Sequence, residues 1–135
     1  MKRFIVILVL LLPITALVIF SCFDLLPARG LTGIRMETMK QRILHYARTH
    51  NEFPKTVTDL PLLSSRDNTV QDGWGHDIRF EIATNGTVTL TSLGRDGLPG
   101  GAGDDADITR TFPAHTSQGA WSEETVAWSS DSLVK

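Results

Sequence analysis

The chain has 135 residues, 41% of them hydrophobic and 21% charged, which leaves room for one domain with one core beyond an apolar start and too little for two. That composition excludes wholesale disorder and a multi-spanning membrane protein. The formal net charge of −2 is unevenly spread, with six basic and four acidic residues over 24–60 against five and eleven over 61–135, and an acidic half with no basic stripe argues against nucleic acid as a partner.

Met1-Lys2-Arg3 leads into an uncharged apolar stretch from Phe4 to Phe23, which Asp24 ends. At a helical rise of about 1.5 Å per residue this stretch covers roughly 30 Å, the thickness of the hydrocarbon core. Residues 1–23 therefore read as a membrane anchor. The positive-inside bias keeps the N-terminus in the cytoplasm and exports everything after Asp24, a single pass of the membrane; in a bacterial source that is the cytoplasmic membrane, with the domain in the periplasm. Ile19-Phe20-Ser21-Cys22 also satisfies a lipobox, so a lipoprotein signal with Cys22 as the lipidated residue is the alternative. A signal that is cut and lost lacks an Ala-x-Ala site. Cys22 is the single cysteine, which rules out an internal disulfide and a cysteine-based zinc cage.

From Leu31 to about Thr49, Leu31, Ile34, Thr38, Met39, Ile43, Tyr46 and Ala47 recur at spacings of three and four, with Arg35, Lys40, Arg42 and Arg48 mostly between them. The pattern predicts an amphipathic helix. Pro27 and Gly30 separate it from the anchor or bend one long rod, and Phe53-Pro54 stops it. His45 and His50 are five apart, face different directions and read as solvated. A loop with Thr58, Asp59 and Pro61 follows, then Asp72-Gly73-Trp74-Gly75, a turn expected to pack its Trp. Ile78 to Ile82 and Val88 to Leu90 alternate apolar and polar, and Asn85-Gly86 between them predicts a hairpin with a type I′ turn. One helix followed by short antiparallel strands predicts an α+β layer fold, the amphipathic helix packed on a small antiparallel sheet.

After the second strand the chain carries five glycines and the carboxylates Asp96, Asp104, Asp105 and Asp107, with Arg95 the one positive charge in the stretch from Ser92 to Ile108. A glycine-rich loop among like charges is costly to order. Two readings stay open for this long acidic loop: a bound hard cation such as calcium, which takes six to eight oxygens in irregular geometry, or a solvated Asp/Gly turn without an ion. No EF-hand register aligns, and the nonapeptide β-helix repeat would need tandem copies.

Phe53-Pro54-Lys55-Thr56 after a helix with Tyr46, Asp72-Gly73-Trp74-Gly75-His76, Ser92-Leu93-Gly94-Arg95-Asp96-Gly97, Gly100-Gly101 and Asp105-Ala106-Asp107-Ile108 together resemble the periplasmic domain of the major pseudopilin of type II secretion systems, over residues 31–108. The resemblance implies a helix on a small antiparallel sheet, a calcium-binding aspartate loop, and assembly with other pseudopilin-like subunits, secretion-apparatus proteins or further copies of this chain. By resemblance Asp96 and members of Asp104, Asp105 and Asp107 are the side-chain ligands, with the Leu93 carbonyl a backbone ligand. The family's short basic leader, its Gly-Phe cleavage site and the glutamate five residues into its mature helix have no counterpart here. A domain over 24–110 is thus expected, followed by a Ser/Thr-rich tail over 111–135 in which Trp121 and Trp128 either dock or anchor a partly ordered segment.

An enzyme is not expected. Ser132-Leu133-Val134-Lys135 has the Ser-x-x-Lys spacing, but it sits at the chain end without companion motifs, and no Gly-x-Ser-x-Gly elbow, phosphate loop or paired-histidine zinc motif occurs.

Overall fold

The structure, a computed structural model, describes residues 26–122. Its first element is helix α1, Ala28–His50. It starts directly after Pro27, whose carbonyl accepts the Leu31 N–H at 3.0 Å, and it runs through Gly30 instead of being broken there. It ends at Asn51, which adopts the left-handed conformation at φ 54°, two residues before Phe53. Arg48 and His50 in the last turn complement the helix dipole.

In its second half α1 buries the face its sequence predicts, Met39, Ile43 and Ala47 together with Leu44. In its first half the buried stripe is Thr32, Met36 and Thr38, and Ile34 is 47% exposed. The stripe turns because polar groups of the loops, described below, dock where a leucine or isoleucine would otherwise sit. Arg42 is also buried, at 3% exposure, and its guanidinium donates to the carbonyls of Pro61 at 2.8 Å, Asn68 at 2.8 Å and Leu60 at 3.3 Å. Burial lowers the guanidinium's pKa below its ordinary value. Three carbonyls nevertheless satisfy a fork that always carries its proton, and they hold the 60–71 loop against the helix.

A single 3-10 turn, Val57–Asp59, begins that loop. Asp59 caps it by accepting the N–H groups of Lys55 and Thr56, bonds that, led by that from Thr56, depress its pKa. Strands β1, Arg79–Ile82, β2, Thr87–Ser92, and β3, Ile108–Pro113, follow. They form an antiparallel meander in the order β1-β2-β3. The hairpin falls where Asn85-Gly86 predicts it, but its turn is not type I′. Only Gly86 takes a positive φ, 77°; its N–H bonds the Ala83 carbonyl and the Ala83 N–H bonds the Thr87 carbonyl. This is a three-residue connection with glycine in the left-handed position. Asn85 stays at negative φ, and its side-chain oxygen accepts the Thr87 N–H at 3.0 Å.

One helix on a three-stranded antiparallel sheet is the α+β layer expected. Met36, Met39, Ile43 and Leu44 of α1 meet Val88 and Leu90 of β2, with Phe112, Ile78 and Leu60 closing the core. β3 has no counterpart in the sequence reading, and it crosses the boundary at residue 110 where the tail was expected to start. Past β3 the chain doubles back: His115 and Trp121 form an antiparallel bridge, and Ser122 N–H bonds the Ala114 carbonyl at 2.7 Å. Trp121 stacks on His115 at 4.2 Å between centroids, meets Phe53 edge-on at 5.1 Å, and donates its indole N–H to Asn51 at 2.9 Å. It therefore docks at the C-terminal end of α1. Trp128 lies outside the described residues.

Trp121→Ala is expected to lower the unfolding free energy of the full chain in detergent by about 1–3 kcal/mol, since it removes aromatic packing and the Asn51 bond together. Chemical denaturation followed by circular dichroism measures it, and an unchanged midpoint would show the docked hairpin to be incidental.

Candidate functional site

The turn after the 60–71 loop supports the site. Asp72 is fully buried. Its Oδ1 accepts the N–H groups of Trp74 and His76, both at 2.9 Å, and its Oδ2 accepts the Ser92 hydroxyl at 2.6 Å. A buried carboxylate survives only where donors surround it, and here they come from its own turn and from the end of β2. The Asp72 carbonyl accepts Arg35 Nη1 at 2.7 Å, while Arg35 Nε bonds Asp67 at 2.7 Å. The next N–H, from Gly73, reaches the Thr32 hydroxyl at 2.9 Å, which in turn donates to the Ala28 carbonyl. This approach is so close that a Cβ on Gly73 would lie 2.0 Å from the Ala28 oxygen. Gly73 is thus required by contact. Trp74, expected to be packed, is half-buried.

The acidic loop springs from this node. Ser92 Oγ accepts the Gly94 N–H at 3.2 Å, and His76 Nδ1 donates to the Gly94 carbonyl at 3.0 Å. Gly94 has φ 71°, and a Cβ there would fall 2.7 Å from the Asp105 carbonyl carbon. The two arms of the loop therefore touch through backbone. The Arg95 N–H bonds the Asp104 carbonyl at 2.9 Å, the Asp107 N–H bonds the Gly100 carbonyl at 3.2 Å, and Gly100 N–H returns to Asp107 Oδ1 at 3.1 Å. Asp96 caps its own turn through the Leu98 N–H at 3.0 Å. From α1, Arg29 Nη1 donates to the Gly103 carbonyl at 2.8 Å.

The side chains named from the sequence share one loop but not one point. Leu93 lies buried at the base, lining a cavity of about 450 Å³ with Gln71, His76, Asp77 and Arg79. Asp96 and Asp104 are exposed; Asp105 and Asp107 are half-buried. Asp105 gives both oxygens to Arg95, at 2.8 Å to Nε and 3.1 Å to Nη2, and Asp104 Oδ2 is 3.9 Å from Arg95 Nη1. Asp105 foremost, with Asp104 and Asp96 adding, raises the Arg95 pKa above its ordinary value. Among the described residues no three His, Cys, Asp or Glu side chains form a group that could hold a metal ion. In this arrangement Arg95 engages Asp105, and the four carboxylates do not converge on one point. Sequence reasoning missed Asp72, Ser92 and Thr32 as the support of the loop; the close spacing of Asp72 to two glycines was the available signal. It also left Arg95 without a partner.

A single helix on a three-stranded meander, with a long loop closed by backbone contacts and by charge, defines a small α+β subunit whose chemistry is cohesive. The family model of the type II secretion system protein G matches residues 29–111, and the chain belongs to that family, the major pseudopilins. The match runs from the first turn of α1 into β3 and contains the whole loop. No curated protein and no solved structure gives a significant match.

Gly73→Ala is expected to cost about 2–4 kcal/mol of stability, because the helix end and the turn must part to admit the methyl group; equal melting of parent and variant would refute the close approach. A pH dependence follows from Asp67. The Thr69 hydroxyl first, then the Thr69 N–H and Arg35, hold its carboxyl down at about 2, against the opposing effect of partial burial. A depressed carboxyl stabilises the fold above its unfolded value near 4 and loses that contribution as pH falls from about 4 towards 2. Asp67→Asn is therefore expected to flatten the acid limb of the stability profile in that window, while an unaltered limb would assign it to other carboxyls.

Proposed function

We propose that the chain is a pseudopilin-like structural subunit of a type II secretion pseudopilus or a related envelope assembly. Its apolar start would anchor it in the cytoplasmic membrane and its α+β domain would stand in the periplasm. The observation that supports this most is the family match over α1, the loop and β3. The family is a structural one, and the geometry agrees with a cohesive role: the node around Asp72 serves bonds within the chain.

On this reading the domain is a shape held rigid for its neighbours. Residues 1–23 precede α1 by only a few positions, so the end of α1 that Arg29 ties to the loop is the end nearest the bilayer. The loop then presents Leu98, 63% exposed, and its outward aspartates to adjoining subunits. Whichever cation balances its carboxylates, calcium as the resemblance implies or an arginine of the chain, serves that shape.

Photo-crosslinking from Leu98 of the full chain in its native membrane tests the proposal. The expected adducts contain another copy of the chain, a second pseudopilin-like subunit or a secretion-apparatus protein; adducts to lipid alone would overturn it. The Ile19-Phe20-Ser21-Cys22 motif, outside the described residues, favours a second reading, a lipoprotein or binding module that uses the domain without a filament. The mass of the purified membrane form separates the two: an acylated Cys22 supports the lipoprotein, and a chain retaining Met1 supports the helical anchor.

A further inference from the structure

Four negative charges within one glycine-rich loop repel one another, and a closed loop needs positive charge near them. This structure supplies two guanidinium groups. Arg95 sits within the loop and meets Asp105 with a two-bond fork, at 2.8 and 3.1 Å, while its remaining nitrogen lies 3.9 Å from Asp104. Such a fork fixes direction as well as charge. The Arg95 N–H meanwhile bonds the Asp104 carbonyl, so one residue joins the two arms through both backbone and side chain. Arg29 approaches from α1 and takes the Gly103 carbonyl. The two carboxylates that do not bond Arg95, Asp96 and Asp107, each accept a backbone N–H from within the loop.

We propose that Arg95 is the built-in counter-ion of the loop: it holds Asp105 and Asp104 together in the way a divalent ion would otherwise have to, and Arg29 fastens the closed loop to α1, so that the loop is ordered without calcium. A divalent ion would have to gather six to eight oxygens from this loop, and the fork already engages both of those on Asp105. The Arg95–Asp105 pair is half-exposed, with side-chain exposures of 59% and 33%. It therefore acts mainly by placing the arms, whose backbones meet at Gly94 and Gly101, and only weakly through bulk stability. The inference goes beyond the secretion reading and stands apart from it, since the absence of crosslinks to secretion proteins would leave it intact.

The test compares the full chain in detergent with Arg95→Ala and Arg95→Lys, each melted in EGTA and in millimolar calcium. The parent is expected to melt at one temperature in both buffers and Arg95→Ala a few degrees lower in EGTA. Arg95→Lys should fall between them, because an ammonium keeps the charge and loses the fork. A parent whose melting rises with calcium would overturn the proposal, as would Arg95→Ala melting with the parent in EGTA. Should Arg95→Ala fail to fold, amide hydrogen exchange over 94–107 in the parent decides. Equal protection in EGTA and calcium supports the arginine, and protection that appears only with calcium defeats it.

Discussion

A carboxylate sealed from solvent sets the terms for this small domain. Asp72 has no exposure at all, and its bonds tie three parts of the chain together: its own turn through Trp74 and His76, the end of β2 through Ser92, and α1 through Arg35 on its carbonyl. Desolvating such a group without donors is among the costliest things a fold can do. The turn, the strand end and the helix therefore settle together or not at all. Gly73 tightens the same joint, since its N–H reaches Thr32 only because nothing but hydrogen stands between its Cα and the Ala28 carbonyl.

The acidic loop inherits its position from that joint. Ser92 gives its hydrogen to Asp72 and accepts one from Gly94, and His76, held by Asp72 through its N–H, bonds the Gly94 carbonyl. The base of the loop is thus fixed before any of its carboxylates is considered. What remains is to keep two arms together against like-charge repulsion. Glycines at the contact points remove the steric obstacle, and Arg95 and Arg29 supply opposite charge where the arms meet and where they face the helix.

Periodicity and turn chemistry made much of this legible. The 3.6-residue pattern located α1, alternation located β1 and β2, and Asn85-Gly86 located the hairpin, because these are local signals. The failures are non-local. Ile34 looks like a core residue on its own helix, yet it is 47% exposed, and the glycine turn some forty positions later docks its Gly73 N–H on the buried Thr32 hydroxyl instead. Arg42 looks like a surface residue until the carbonyls of the 60–71 loop surround it. β3 was missed because Thr109, Arg110 and Thr111 read as a polar tail; Ile108 and Phe112 on one face, with β-branched threonines between them, were the faint strand signal. The aspartates were read as one cluster, since sequence shows that charges are close along the chain and not that Arg95 would claim one of them.

The two ends of α1 are held by different physics, and the difference bears on what a structural subunit needs. At the C-terminal end Phe53, His115 and Trp121 pack as rings around a single polar bond from the indole to Asn51. Apolar packing of this kind tolerates exchange among side chains of similar volume. At the N-terminal end, by contrast, hydrogen bonds of fixed length and direction join Thr32, Arg35, Asp72 and Ser92, and they tolerate very little. Directional bonding is thus concentrated where the loop leaves the sheet and meets the helix. The pseudopilin-like subunit proposed above would have to present one fixed surface to its neighbours, and this end is where the position of the loop against α1 is fixed.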